Sequence, residues 1–330
     1  MATGSDGFRW GILGAGHIAA KWAGDLSLVP GARLQAVWAR DPVRGAAFAA
    51  EHGAARCASS VEDLLGHGDL DAVYVATPHG LHRDHALACL LAGVPVLCEK
   101  AFALDSAQAR EMVDEARRTG TFLMEALWTR FLPGFRSALE EVAAGTIGRI
   151  LSVEADFGFH APYDPARRLW DPAMGGGALL DIGIYPLFFA TSFLGPVETL
   201  EVEAEPAPNG VDRTIRIAAG HARGGTSRSL ATFDRHTTCA CVVRGERGEL
   251  VFPPMFHTPV DVELRLPGGR RLLSGEGPGE GYQYEIEHVQ ECLSRGLAES
   301  PLRPLEDTLE LTSLLDRVGL ASRGSRPGGA

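Results

Sequence analysis

The chain has 330 residues, of which 45% are hydrophobic and 22% charged, and its formal net charge at pH 7 is −11. This length predicts two domains, the composition is typical of globular proteins, and no uninterrupted apolar run reaches the roughly 18 residues of a membrane span. The acidic balance without a long basic run argues against nucleic acid or an anionic membrane as the main partner and favours small molecules.

The ends of the chain and the cysteines suggest the cellular setting. The opening MATGSDGFRW has no basic segment followed by an apolar run, so we expect a cytoplasmic protein rather than a secreted one. Disordered tails are expected at 1–7 and 324–330. The six cysteines form no CxxC pair and no spacing typical of zinc sites, which predicts reduced thiols and no metal.

Residues 8–127 alternate short apolar runs with helical patterns. The predicted strands are FRWGIL, LQAVWA, DAVYVAT, PVLCEK and TFLMEAL. Such alternation is typical of α/β proteins, in which helices cover both faces of a parallel sheet. The segment therefore predicts an N-terminal, doubly wound domain of the Rossmann type.

The turn after the first strand carries a phosphate-binding pattern. WGILGAGHIAAKW places Gly14, Gly16 and Ala19 as G-x-G-x-x-A at the start of a helix. The first glycine allows a tight turn, the second lets a pyrophosphate approach, and the alanine lets helix and strand pack closely. Because the pattern opens a βαβ unit that closes with LQAVWARD, dinucleotide binding is favoured over a merely structural turn, with His17 and Ile18 beside the phosphates.

The end of the second strand distinguishes the two nicotinamide cofactors. An NAD enzyme usually places a carboxylate there for the ribose hydroxyls, whereas this chain has Ala39, Arg40 and Asp41. Arg40 can pair with a 2′-phosphate and stack on adenine, which favours NADP over NAD. The alternative is a solvated Arg40, with Asp41 capping the next helix.

The next strand ends in YVATPHGLHRDHA, at the edge where ligands bind in open α/β sheets. Thr77 and Pro78 are expected to flank the cofactor, and His79 to lie at the nicotinamide edge. The spacing of His79, His82 and His85 lacks the paired geometry of a zinc site. His85 is expected to be a helix residue that faces its neighbours.

The fifth strand, VPVLCEKAF, ends with Glu99 and Lys100. Charged residues directly after a strand that is covered on both faces are costly unless they have a function. The alternative is a local ion pair between these two residues at the edge of the sheet.

Residues 128–323 have a different pattern of longer, alternating strands. These are ILSVEADFGF, TIRIAAG, SLATFD, TCACVVRG and DVELRLP. They predict a C-terminal α+β domain with a large, mostly antiparallel, open sheet, interrupted by a helix from near Gly177 to near Leu194. We expect this domain to bind substrate and to form oligomers, with its C-terminal helices placed to pack back on the first domain.

The interrupting helix begins in GGGALLDIGIYP, residues 175–186. Asp181 and Tyr185, at i and i+4, lie on one face of a helix, and the preceding glycines let its start approach a ligand. Taken alone, this segment is better interpreted as ordinary core residues whose hydrogen bonds are satisfied.

Two aromatic segments offer further candidates. In MEALWTRF, Trp128 and Arg130 can line a pocket, although core packing is nearly as good an interpretation of Trp128. The irregular segment FGFHAPYDPARRLWDP suits substrate selection, although an arginine there is often simply exposed. Its candidates are Phe159, His160, Arg168 and Trp170.

Taken together, LGAGHIA, ATPHGLH, CEKAF and GGGALLDIGIYP, in this order over nearly the whole chain, resemble the Gfo/Idh/MocA oxidoreductase family. With MEALWTRFLP, the last motif most resembles the branch of dimeric dihydrodiol dehydrogenase and NADP-dependent D-xylose dehydrogenase. One departure is Ala101, which stands where the family signature Glu-Lys-Pro has proline, and it is expected to loosen the backbone that aims Lys100.

The resemblance implies a catalytic set of Lys100, Asp181 and Tyr185. A tyrosine with an ordinary pKa of about 10 is a poor base, but the Lys100 ammonium would stabilise its phenolate. Tyr185 could then take the hydroxyl proton while hydride leaves the same carbon, with Asp181 orienting the substrate or Lys100. The implied substrate-binding residues are these three together with Trp128, Phe159 and Arg168. The implied cofactor-binding residues are Gly14, Gly16, His17, Ile18, Arg40, Thr77, Pro78, His79, His82, Glu99, Lys100, Trp128 and Arg130.

Three functions remain open from the sequence. The first is an NADP-dependent dehydrogenase of an aldose or a trans-dihydrodiol, the second is a ketosugar reductase in a biosynthetic pathway, and the third is a non-catalytic nucleotide sensor or assembly subunit. Because one face of the open sheet lacks helices, it is expected to expose apolar side chains and to form a homodimer or a dimer of dimers.

Overall fold

The computed structural model describes residues 7–275 and 277–324, so residues 1–6 and 325–330 of the two expected tails lie outside the described residues. The strands, β1 to β14, are Phe8–Leu13, Ala32–Trp38, Arg56–Cys57, Ala72–Val75, Val96–Glu99, Leu123–Ala126, Ile150–Gly158, Val197–Pro206, Asp212–His221, Thr226–Thr232, Cys241–Gly245, Glu249–Phe252, Val262–Leu266 and Gly269–Leu273. The α-helices, α1 to α9, are His17–Leu26, Pro42–His52, Val61–Gly66, His82–Leu91, Ser106–Thr119, Pro133–Ala143, Ile184–Leu194, Gln283–Ser294 and Leu305–Gly324.

The chain divides into two compact units. Unit 1 contains the described residues of Met1–Phe131 and Gly277–Glu310, and unit 2 those of Leu132–Glu276 and Leu311–Ala330. The sequence-based division ended the first domain at residue 127 and assigned 128–323 to the second. The structure instead assigns α8 and the first residues of α9 to unit 1.

Unit 1 contains a parallel sheet with the strand order β3-β2-β1-β4-β5-β6. This confirms the predicted doubly wound architecture. The strands β4 and β5 are buried throughout, as expected for a sheet that is covered on both faces. Strands β1 and β4 are neighbours although five elements separate them in sequence, so the strand order reverses between them. In such sheets, ligands bind at the carboxyl ends of the two strands at this switch point.

Within unit 1, a buried carboxylate joins segment 277–310 to the N-terminal part of the chain. Asp25, at the end of α1, accepts hydrogen bonds from the backbone N–H groups of Glu280, Gly281 and Tyr282 at 2.8 to 3.0 Å. These groups precede α8, so the carboxylate satisfies donors at the helix start and fixes where that helix begins.

A buried ion pair makes a second connection to this segment. The Arg303 guanidinium donates to the carboxylate of Glu125 on β6, and both side chains are at most 5% exposed. The Thr308 hydroxyl donates to the same carboxylate oxygen at 3.2 Å. Because a buried carboxylate is tolerated only with such partners, the start of α9 is tied to the sheet of unit 1.

Unit 2 contains a sheet with the order β14-β13-β12-β11-β7-β10-β9-β8, in which the β7 and β10 pair is parallel and the other pairs are antiparallel. This confirms the predicted large, mostly antiparallel sheet. Helix α7 packs on β7, β10 and β11, and its phenylalanines pack on one ring from α6 and one from β12. The aromatic cluster consists of Phe135, Phe188, Phe189, Phe193 and Phe252.

The opposite face of this sheet is more polar than the sequence predicted. Arg244 on β11 pairs with Glu154 on β7 and with Glu249 on β12, and Arg265 on β13 pairs with Glu249 again. Apolar residues on this face lie between these charged pairs; Leu272 on β14 is exposed and others are half-buried. They include Leu230, Val242 and Val251. Cross-strand ion pairs therefore occupy part of the face that was expected to be apolar, and apolar side chains the rest.

Within the described residues, the stretch Pro172–Leu194 is long and apolar enough to cross a membrane by length and composition, and 78% of its apolar window is buried inside the structure. A core helix of a globular protein meets the same criteria. The aromatic packing of α7 against the sheet accounts for this composition.

Candidate active site

The glycine turn between β1 and α1 has the shape that a pyrophosphate requires. Gly14 has φ +107°, and a Cβ there would lie 2.7 Å from the carbonyl oxygen of Ala76. A Cβ at Gly16 would meet nothing within 4 Å, and no side chain caps the helix that follows. The N–H groups at this helix start, including those of His17 and Ile18, therefore remain available to an anion.

The end of β2 places two charged residues in different environments. Asp41 caps α2, because its carboxylate accepts the N–H groups of Val43 and Arg44 at 2.9 and 3.3 Å. Arg40 is exposed and forms no ion pair within residues 7–275 and 277–324. The carboxylate is thus committed to the helix, and the guanidinium is available.

His82 lies deeper than its predicted cofactor-binding role requires. Its side chain is fully buried, with Nδ1 3.0 Å from the carbonyl oxygen of Ala101 and Nε2 2.7 Å from that of Thr77. Burial lowers the pKa of His82 to about 4, so the ring is neutral and donates to one of the two carbonyls. The imidazole therefore packs between the segments that follow β4 and β5, where we expected a contact with the cofactor.

The residue in the place of the signature proline is well fixed. Ala101 is 1% exposed, its carbonyl faces His82, and the peptide bond between Lys100 and Ala101 is cis. Its burial and the contact of its carbonyl oxygen with His82 do not favour the expected loosening.

The other two histidines of this segment lie on separate contacts. His79 is buried, with its ring 5.6 Å from that of His82. His85 faces its neighbours, as expected, with Nδ1 3.0 Å from the Thr77 hydroxyl and its ring against Trp38. In the part of the chain that the structure describes, no group of three or more His, Cys, Asp or Glu residues could hold a metal.

At the end of β5, the two charged residues differ in burial. Lys100 is half-buried, whereas the Glu99 carboxylate is buried and accepts hydrogen bonds from the Tyr74 hydroxyl and from the Lys100 backbone N–H. The prediction that Glu99 binds cofactor does not agree with this placement, because its oxygens face donors in the interior of unit 1.

Trp128 and Arg130 are held by the C-terminal segment of unit 1. The Trp128 indole is nearly buried and stacks on the Tyr282 ring, with centroids 4.4 Å apart. Arg130 Nε donates to the carbonyl oxygen of Leu302 at 2.9 Å. These contacts give both residues a packing role, which the sequence had left as an alternative for the tryptophan.

In unit 2, the helix that carries the other candidates starts irregularly. Residues Leu179–Gly183 form a π-helical turn, and the regular helix α7 begins only at Ile184. Asp181 lies in the π turn and Tyr185 in the first turn of α7, and both side chains are nearly buried. Single π turns within helices occur frequently at functional sites.

A carboxylate from the sheet anchors this helix start. Asp212 on β9 accepts the backbone N–H groups of Ala178 and Leu179, the latter at 2.5 Å, while burial raises its pKa to about 6. Gly177 has φ +121°, and a Cβ there would lie 2.4 Å from Asp212 Oδ1. The third glycine of the motif is therefore required so that the carboxylate can reach the helix.

The surroundings of Asp181 and Tyr185 include the predicted Arg168 and two residues that the sequence analysis missed, Phe157 and His257. Arg168 pairs with Asp181, with Nη2 to Oδ1 at 2.9 Å. The Tyr185 ring lies 4.7 Å from His257 and 5.8 Å from Phe157. Phe157 could have been found as the next inward position after Val153 and Ala155 on β7. His257 has no such pattern, because it lies in the segment that joins β12 to β13.

The remaining residues predicted to select substrate lie apart from these contacts. Phe159 packs on Phe233, and Trp170 is buried against the same ring. His160 is exposed, with Nδ1 3.0 Å from the carbonyl oxygen of Asp234. The segment thus contributes Arg168 to the cluster around Asp181 and uses its aromatic residues for packing.

Two family models match the chain. That of the oxidoreductase family with an NAD-binding Rossmann fold matches residues 8–127, and that of the GFO/IDH/MocA C-terminal domain matches residues 135–251. The chain belongs to the Gfo/Idh/MocA oxidoreductase family. This confirms the resemblance inferred from its motifs.

Named relatives of this Gfo/Idh/MocA protein are enzymes. Trans-1,2-dihydrobenzene-1,2-diol dehydrogenase of Bos taurus is 35% identical and covers 94% of this chain and 95% of its own. The protein of that name from Homo sapiens is 34% identical with the same coverage. This member of the family is therefore an NAD(P)-dependent oxidoreductase acting on CH–OH groups.

Solved structures agree with the fold. Aldose-aldose oxidoreductase from Caulobacter crescentus, complexed with glycerol, has a TM-score of 0.88 at 24% identity over 97% of this chain and 98% of that one. A 3-ketoreductase from Actinomadura kijaniata, in complex with NADP and TDP-benzene, has a TM-score of 0.84 at 27% identity over 96% and 98%.

Substituting Gly177→Ala should displace the start of the π turn, because its Cβ would collide with Asp212 and its φ disfavours a side chain. We expect destabilisation of about 1–3 kcal/mol and a large loss of turnover, measured by thermal unfolding and steady-state kinetics. The control is Gly24→Ala in α1, where a Cβ meets nothing within 4 Å. Equal behaviour of the two variants would contradict the anchoring role of Asp212.

Proposed function

We propose that this protein is an NADP-dependent dehydrogenase that transfers hydride between nicotinamide and a secondary alcohol, hemiacetal or ketone carbon of a sugar or cyclic diol. The observation that carries the proposal lies at the start of α7 in unit 2. There Asp181, which forms an ion pair with Arg168, is one helical turn before the nearly buried Tyr185. Relatives named trans-1,2-dihydrobenzene-1,2-diol dehydrogenase support a cyclic diol or an aldose as the substrate class.

The cofactor preference rests on the end of β2. Because Asp41 is engaged in capping α2, it offers little to ribose hydroxyls, whereas the exposed Arg40 guanidinium can receive a 2′-phosphate. The glycine turn would hold the pyrophosphate, and Thr77, Pro78 and His79 would flank the cofactor at the end of β4. NADP supplies a hydride acceptor or donor at C4 of its nicotinamide when it is bound.

The chain itself supplies the proton transfer. Tyr185 takes the proton of the substrate hydroxyl in oxidation and returns it in reduction. In this proposal, the ammonium of Lys100 favours the phenolate form of the Tyr185 hydroxyl. Asp181, held by Arg168, orients the hydroxyl groups of the substrate. The aromatic rings of Phe157 and His257 limit the freedom of the Tyr185 ring.

Ketosugar reduction is the second candidate. The 3-ketoreductase from Actinomadura kijaniata, 27% identical to this chain, is the observation that favours it. The same residues would serve, since reduction reverses the proton and hydride transfers. A panel that includes aldoses, trans-dihydrodiols and ketosugars separates the two by the direction and substrate of fastest turnover.

Arg40→Ala tests the cofactor assignment. Loss of a charge-assisted contact to the 2′-phosphate should weaken NADPH binding by roughly 10- to 100-fold and leave NADH binding unchanged. Titration followed by nicotinamide fluorescence measures both. Arg44→Ala, an exposed arginine on α2, is the matched control. If the unmodified protein binds NADH as tightly as NADPH, the assignment fails.

Tyr185→Phe distinguishes an enzyme from a non-catalytic nucleotide sensor. The variant keeps the ring and loses the proton acceptor, so kcat should fall by about 10²- to 10⁴-fold while NADPH affinity is retained. Steady-state kinetics on the substrate panel and the fluorescence titration provide the two readouts. Unchanged turnover would remove Tyr185 from the mechanism, and no turnover of the unmodified protein on any substrate would favour a sensor.

Association through the ion-paired face of the unit 2 sheet is a further part of the proposal. The charges there are already paired across strands, so covering them costs less than covering lone charges, and the half-buried Leu230, Val242 and Val251 supply apolar contact. Light scattering at micromolar concentration should give the mass of a dimer or of a dimer of dimers. A monomeric mass would refute this arrangement.

A further inference from the structure

A second buried acidic residue, Glu285, lies close enough to Glu99 in unit 1 for the two charges to interact. Glu285 on α8 is fully buried, and in the described part of the chain no donor meets its carboxyl oxygens in good hydrogen-bond geometry. The nearby Trp22 indole lowers the pKa of Glu285, but by less than burial raises it. Burial raises the pKa of Glu285 well above its usual range, and the charge of Glu99 raises it further. Two neighbouring buried carboxyl groups ionise together only at high cost, so one of them holds the proton.

The hydrogen-bond donors decide which group is ionised. Glu99 accepts from the Tyr74 hydroxyl and, at 3.0 Å, from the Lys100 backbone N–H, whereas Glu285 accepts from neither. Tyr74 is itself fully buried and is held by stacking on Trp22, with centroids 4.4 Å apart. Because donors stabilise the charged form, the negative charge belongs on Glu99 and the proton on Glu285.

The charged and titratable groups around Glu99 come from several elements. They are Cys98 and Lys100 from its own strand and the residue after it, Tyr74 from β4, Glu125 from β6, and Glu285 from α8. The Glu125 charge is compensated by Arg303. Burial raises the pKa of Glu99 to about 7, and the nearby Lys100 ammonium and the Tyr74 hydroxyl oppose that rise.

We propose that Glu99 is a positioning residue for Lys100, and that Tyr74 keeps it ionised so that this buried cluster sets the lower pH limit of turnover. The inference rests on the proposed function, which gives Lys100 a catalytic role. The Glu99 carboxylate accepts the Lys100 backbone N–H at 3.0 Å, and it attracts the lysine ammonium only while it is ionised. Since the carboxylate form prevails above about pH 7, turnover falls as the pH drops through that value.

The experiment compares the pH profiles of kcat and kcat/KM for the intact protein and three substitutions. Tyr74→Phe removes a donor to the charged form and should move the acid limb to higher pH by about one unit. Glu99→Gln should abolish the acid limb and lower kcat at every pH. Glu285→Gln replaces a neutral acid by a neutral amide and should leave the limb in place. Tyr284→Phe, a half-buried tyrosine of α8 outside the cluster, is the control and should behave as the intact protein.

An acid limb that stays in place in Tyr74→Phe, that persists in Glu99→Gln or that disappears in Glu285→Gln would overturn the proposal. Infrared titration of the protonated carboxyl band, as the difference between the intact protein and Glu99→Gln, reports the ionisation of Glu99 without turnover. We expect that band to appear below about pH 7. Lys100→Met tests the underlying function separately, because full activity of that variant would remove the lysine from catalysis whatever the infrared titration shows.

Discussion

A carboxylate can be buried only where donors meet it, and this constraint fixes the segments that carry the candidate site. In unit 1, Asp25 collects the N–H groups before α8, and Glu125 receives Arg303 at the start of α9. In unit 2, Asp212 receives the N–H groups at the start of the π turn. In each case an acid on a strand or helix determines where a distant segment begins, and α7 carries Tyr185 from such a start.

Glycines then determine how closely the backbone may approach. Gly14 and Gly177 both have positive φ, and a Cβ at either would collide with a neighbouring oxygen. The space that a side chain would need at these two positions is therefore already filled by other parts of the protein. Gly16 differs because the space beside it is open. Of the motif glycines, it is therefore the one whose missing side chain serves a ligand rather than the packing of the chain.

The sequence predicted what depends on local pattern: both sheets, the glycine turn, the strand ends that bear Lys100 and Arg40, and the position of Tyr185. It did not predict where side chains turn when distant partners decide. Glu99 faces inward because its hydrogen-bond donor Tyr74 lies on the neighbouring strand. His82 is buried because the carbonyl oxygen of Ala101, in the segment after β5, lies next to its ring. Likewise, the polar face of the second sheet depends on pairs such as Arg244 and Glu154, which only strand register brings together.

The Arg168–Asp181 pair is better explained by chemistry than by stability. Arg168 is 41% exposed and Asp181 is 12% exposed, so the arginine remains solvated while the carboxylate has lost most of its water. Pairs with an exposed partner contribute little to folding, and burying the acid is costly. An apolar residue at position 181 would fit the core beside Ile182 and Ile184 at lower cost. The acid in the π turn, one helical turn before Tyr185, therefore supports the role that we propose for Asp181, in which it orients the hydroxyl groups of the substrate.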